Sequence, residues 1–153
     1  MQTADEILKD KHNVIISVPS ETTVLDALKV MNEKKIGAIL ATEGKKIVGI
    51  WTERDLMQDI TEEGFDPRRV RIREVMTREL ISAPHSDPVY RLLDKFLGLR
   101  LRHLLIEKEG EYIGLLSWGY VIKAYLNEKQ HELRELNAMV SWEYYENWRW
   151  KRR

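Results

Sequence analysis

The 153 residues contain no cysteine, which excludes disulfides, thiolate metal sites and cysteine nucleophiles and suits a reducing compartment. Net charge is missing too. Twenty-five basic residues balance 25 acidic ones, so the molecule as a whole offers no electrostatic footprint for DNA or an anionic membrane. The best apolar run, Tyr112 to Trp118, is far too short to span a bilayer. The opening Met1-Gln2-Thr3-Ala4-Asp5-Glu6 carries acid where a secretory leader carries base. These absences predict a soluble, cytoplasmic chain with no membrane partner.

Catalytic signatures are also absent. His12, His85, His103 and His131 are scattered, with no spacing that builds a metal site. Ser17 and Ser117 lack an elbow sequence and an evident base, and no Gly-rich loop cradles a phosphate. The expectation is a chain that is not an enzyme and requires no cofactor or metal.

What is present is a repeat. At an offset of 65 residues, Ile16-Ser17-Val18-Pro19 lies over Ile81-Ser82-Ala83-Pro84, Val24 over Val89, Leu28 over Leu93, Leu40 over Leu105, Gly49 over Gly114 and Thr52 over Ser117. The order of features carries more weight than the identities. In each copy a short apolar strand ends at proline, which cannot donate to a continuing ladder. A capped helix follows, with Thr22 in the place of Asp87 and Pro88 in the first helical turn. Then come two strands around turns containing Gly44 and Gly110, and a second helix beginning at Thr52 or Ser117. The predicted organisation is a first motif over residues 7–62, a linker with a short helix over 63–79, a second motif over 80–127, and a C-terminal helix with an aromatic tail over 128–153. One β-α-β-β-α unit cannot bury a sheet face and two helix faces alone. Two copies packed sheet to sheet about a pseudo-twofold axis can, and the crevices between them are natural ligand sites.

Two stretches, Ile36-Gly37-Ala38-Ile39-Leu40 with Lys46 to Asp55, and Arg102-His103-Leu104-Leu105-Ile106 with Gly114 to Tyr120, resemble the CBS-domain family. The match to its closing pattern, a glycine, two apolar residues, Ser or Thr, two variable residues and Asp, is carried by Gly49 to Asp55. The resemblance implies an α+β fold of two CBS motifs, a Bateman module, that binds AMP, ADP, ATP or S-adenosylmethionine, regulates a partner protein and pairs as a homodimer. An Asp one turn into a helix can accept from both ribose hydroxyls, and an ionised acceptor makes the stronger bond. Thr52 at the helix start suits a phosphate. Ile16, Ile36, Gly37 and Ala38 are expected to form the adenine slot. Arg102 and His103, which stand where the first copy has Gly37 and Ala38, are expected at the phosphate held beside Asp55. Arg54, Arg100 and Ser117 are weaker candidates, and Lys34-Lys35 reads as a solvated helix end. Thr52-x-x-Asp55 equally matches a helix capping box. Tyr120 replaces the acid in the second copy, which predicts a second cleft that is empty or differently used.

Beyond the second motif, Leu126, Leu133 and Val140 recur seven apart with Ile122 and Leu136 alongside, an amphipathic seam for the module or a second subunit. The tail from Trp142 to Arg153 packs most simply across a dimer. Two alternatives remain: a ligand-free interaction module, and a nucleic-acid module using that tail.

Overall fold

The computed structural model describes residues 1–12 and 14–134. The distal part of the expected seam (Leu136, Val140) and the aromatic tail lie outside them. Each repeat begins with a helix, followed by strand, helix, two strands and a closing helix. The first comprises α1 (Ala4–Asp10), β1 (Ser17–Pro19), α2 (Val24–Lys34), β2 (Ala38–Glu43), β3 (Lys46–Thr52) and α3 (Glu53–Asp59). The second comprises α4 (Ile72–Val75), β4 (Ser82–Pro84), α5 (Val89–Gly98), β5 (His103–Lys108), β6 (Glu111–Ser117) and α6 (Trp118–Arg134).

Each sheet has three strands with the middle one central, in the orders β1-β2-β3 and β4-β5-β6. The first pair in each is parallel and the second antiparallel. A parallel pair needs a crossover, supplied by α2 and α5. The antiparallel pair closes through a tight turn. In the second repeat Glu109 (φ +52°) and Gly110 (φ +81°) both take the left-handed backbone that a two-residue hairpin favours. The register irregularity falls at Ala41/Thr42 and at Ile106/Glu107, again 65 residues apart.

Alternation along β2 and β5 sets the layers. Ile39 and Ala41 face the helices of the first core, Leu104 and Ile106 those of the second. Leu40 and Leu105 point the other way and are still buried, at 1% and 2% exposure. Leu40 shares a cavity with Leu115 of the second repeat, and Leu105 one with Ile50 of the first. Sheet therefore covers sheet.

The leading helices cross over. α1 precedes the first repeat, yet Ala4, Ile7 and Leu8 belong to the core of the second, and the Ala4 N–H donates to the Asp87 carbonyl at 2.9 Å. α4 precedes the second repeat, yet Ile72 and Met76 belong to the core of the first, and the Ile72 N–H donates to the Thr22 carbonyl at 2.8 Å. The leading helices are thus exchanged between the two cores. α6 runs unbroken from Trp118 to Arg134.

Two further expectations are corrected. Thr23, not Thr22, caps α2, its hydroxyl accepting from the Asp26 N–H. Thr22 is taken up by the α4 contact. Pro88 stands at the cap of α5 with extended backbone rather than in its first turn. The inward face of α6 is Val121 and Ala124, while Leu133 on the expected seam is 54% exposed.

Gly49 marks where α4 presses on β3, since a Cβ there would overlap the Met76 side chain and reach its Cγ at 2.7 Å. Gly49→Ala is expected to destabilise the fold by about 1–3 kcal/mol through overpacking. Met76→Ala in the same chain should make the combined loss smaller than the sum of the two singles, as read from urea midpoints.

Candidate functional site

Two cavities lie between the repeats, with volumes of about 360 and 410 Å³. Each takes its strand-side wall from one repeat and its helix start from the other. In the smaller, Thr52, Arg54 and Asp55 of the first repeat face Arg100, Arg102 and His103 of the second. In the larger, Ser117 and Tyr120 of the second repeat face Ile16, Ile36, Gly37 and Ala38 of the first. The walls correspond residue by residue at the offset of 65: Thr52 to Ser117, Asp55 to Tyr120, Ile16 to Ile81, Gly37 to Arg102 and Ala38 to His103.

The residues expected to surround one nucleotide are thus divided between two clefts. Thr52, Asp55, Arg102 and His103 come together, as do the weaker candidates Arg54 and Arg100. Ile16, Ile36, Gly37 and Ala38 do not join them. They line the cleft of Ser117 and Tyr120. The reason is the pseudo-twofold packing, which sets the helix start of one repeat over the strand starts of the other. The apolar wall beside Asp55 is instead Leu80, Ile81 and Leu101. Shifting Ile15, Ile16 and Ile36 by 65 finds these residues directly.

Asp55 is held by the start of α3. Its Oδ2 accepts from the Thr52 N–H at 2.9 Å, and the Thr52 hydroxyl accepts from the Asp55 N–H at 3.2 Å. The capping box is therefore formed, and it fixes the carboxylate at the cleft wall. Among the described residues no hydrogen bond engages Oδ1. The Glu53 N–H donates to the Gly37 carbonyl at 2.9 Å, and a Cβ on Gly37 would meet the Glu53 carboxylate at 3.0 Å. The missing side chain at Gly37 thus accommodates Glu53, a use the sequence pattern did not suggest.

The Tyr120 cleft holds residues that spacing left out. The Lys11 ammonium donates to the Leu115 carbonyl at 3.2 Å and lies 4.3 Å from the Tyr120 ring centroid. Burial lowers its pKa. Lys34 and Lys35, read as a solvated helix end, line the same cleft. Among the described residues no group of three or more His, Cys, Asp or Glu is placed to hold a metal ion, and no helix is long and apolar enough to cross a membrane.

Paired clefts between two β-α-β-β-α units define a pseudo-symmetric tandem-repeat module. The CBS domain profile matches residues 6–62 and again 72–127, and the chain belongs to the CBS-domain family. It is 32% identical over 126 residues to the mitochondrial CBS domain-containing protein CBSX3 of Arabidopsis thaliana, covering 79% of this chain and 61% of that protein. The chain thus spans less than two thirds of that relative. Among solved structures, a CBS-domain protein from Burkholderia ambifaria is similar, with a TM-score of 0.79 and 30% identity over 92% of this chain and all of that one. The CBS domain protein PAE2072 of Pyrobaculum aerophilum, complexed with AMP, shares the fold. Its TM-score is 0.71 at 21% identity, covering 85% of this chain and 99% of that one.

His103 lines both clefts, and its Nδ1 is buried without a hydrogen-bond partner among the described residues. Burial pushes its pKa below the ordinary 6.5, the charges of Lys11 and Arg102 push further the same way, and Asp55 opposes them. The folded protein therefore holds fewer protons than the unfolded chain just below pH 6.5. Stability on this account is full above that pH and is lost as pH falls through the lowered value. His103→Gln is expected to flatten the fall in urea midpoint between about pH 7.5 and 5, and NMR titration of the His103 imidazole should place it below the ordinary 6.5.

Proposed function

We propose that the chain is a regulatory module that binds an adenine nucleotide in the Asp55 cleft. The observation that carries this reading is the convergence there of an oriented carboxylate, the basic pair Arg102 and His103, and an apolar wall of Leu80 and Ile81. The free Oδ1 of Asp55 suits the ribose diol. Arg102 and His103 suit the phosphate, which would also give the unpartnered His103 Nδ1 an electrostatic reason to take a proton. The AMP complex of the Pyrobaculum protein supports the ligand class, and AMP, ADP, ATP and S-adenosylmethionine are the compounds to compare.

A homodimer fits the exposed apolar side chains of α3, its C-cap and α5, with Met57 66%, Ile60 63% and Leu97 64% exposed. Regulation follows if the nucleotide favours one arrangement of the module or of its partner contacts, since equal affinity for both would shift nothing. A purely structural role for Asp55 is the second reading, favoured by the completed capping box. The two roles use different oxygens and coexist.

Asp55→Asn separates them, because the amide oxygen still accepts the Thr52 N–H. Calorimetry should show nucleotide affinity falling by about 10- to 100-fold, the worth of roughly 1.5–3 kcal/mol of charge-assisted hydrogen bonding, with urea stability little changed. A 2′-deoxynucleotide should lose affinity in the native chain and lose little more in the variant. Unchanged nucleotide affinity in Asp55→Asn would leave only the capping role.

A further inference from the structure

The Tyr120 cleft is the pseudo-symmetric counterpart of the Asp55 cleft with its charge rearranged. The Asp55 cleft sets three arginines against two carboxylates, Asp55 and Glu79. The Tyr120 cleft is lined by Lys11, Lys34 and Lys35 and, among the described residues, by no carboxylate. Where the diol acceptor would sit, a neutral phenol lies under the Lys11 ammonium. A phenol accepts more weakly than a carboxylate, so the wall has lost the group that reads vicinal hydroxyls and gained cations.

Two features indicate that these cations are placed rather than scattered. Lys11 is half-buried at the end of α1, which packs on the second repeat, and its ammonium donates to the Leu115 carbonyl, 104 residues away in sequence. A half-buried ammonium whose contacts among the described residues are a carbonyl and a ring gains from an anion. Lys35 ends α2 in the left-handed backbone at φ +55°, its N–H donating to the Met31 carbonyl, and its counterpart Arg100 takes +52°. Each brings a basic side chain to the edge of its cleft.

We infer that the Tyr120 cleft is a site for an anion carrying two or more phosphoryl groups, recognised by Lys11, Lys34 and Lys35 without any requirement for a ribose diol. The inference goes beyond the nucleotide reading of the Asp55 cleft and does not depend on it. The 410 Å³ cavity admits such an ion, and the adjoining Ile16, Ile36 and Leu40 leave room for an apolar substituent.

Inorganic tripolyphosphate titrated calorimetrically into the full chain is the test, with AMP titrated in parallel. Saturable tripolyphosphate binding is expected, within about twofold of native in Asp55→Asn. It should weaken at least about tenfold in Lys11→Met and in Tyr120→Asp, where a carboxylate is restored among the lysines. Lys35→Met serves if Tyr120→Asp fails to fold by circular dichroism, and it should weaken binding in the same direction. Lys11→Met should move AMP affinity far less than tripolyphosphate affinity, since Lys11 meets the Asp55 cleft only through its charge on His103. Absence of saturable tripolyphosphate binding would overturn the inference. So would binding abolished by Arg102→Met yet indifferent to Lys11→Met, which would seat the anion beside Asp55. Loss of AMP binding alone would speak against the nucleotide reading and leave this one standing.

Discussion

Each repeat has a three-stranded sheet whose second face its own helices cannot cover. That uncovered face is the constraint from which the rest follows. Leu40 and Leu105 sit at its centre, and both are almost wholly removed from water although neither belongs to its repeat's helix-packed core. Burying a leucine side chain contributes about 1.5–3 kcal/mol, so two exposed sheet centres would cost a sizeable part of the stability of a domain this small. Pairing the faces removes that cost. The crossing of α1 and α4 adds backbone hydrogen bonds and core contacts that tie each leading helix to the repeat it does not precede.

The same pairing makes the clefts. Both clefts lie at the strand starts, where the first turn of α3 or α6 lines them from the opposite repeat. The two spaces begin as equivalents and end as different sites because few positions differ in kind. Gly37 and Ala38 in one repeat stand against Arg102 and His103 in the other, and Asp55 stands against Tyr120. Charge is thereby sorted: an acceptor with arginines around it on one side, lysines without an acceptor on the other. The backbone framework is untouched by this sorting. Ala38 still pairs with Thr52, and His103 with Ser117.

The repeat was legible because its signals are local. Proline at the ends of β1 and β4, glycine in the hairpins and helical spacing in α2 and α5 each state a backbone preference that tertiary packing did not override. The capping box at Thr52 and Asp55 was legible for the same reason. The composition of each cleft was not, since spacing places Ile16, Ile36 and Gly37 in the same repeat as Asp55 and says nothing of which repeat's wall they face. Only the pseudo-twofold packing exchanges the walls. α1 was missed because seven residues with three apolar positions resemble a leader to the first strand, and their partner core lies some 80 residues further on. Lys11 was missed because a lysine at a helix end is usually solvated, and its long-range carbonyl contact leaves no mark in composition. Lys34 and Lys35 are exposed, as a solvated helix end is, and also border the cleft.

Exchange of walls also fixes what a ligand in either cleft can do. A molecule held between Thr52 or Asp55 and Arg102 or His103 touches both repeats at once, as does an anion among Lys11, Lys35 and Ser117. Its binding energy then depends on how the repeats are set against each other. A bound ligand can shift that setting only by the difference in its affinity for the alternatives. His103 borders both spaces, and Lys11 of the Tyr120 cleft and Arg102 of the Asp55 cleft both push its pKa down. An anion that neutralised either cation would let the imidazole take a proton more readily.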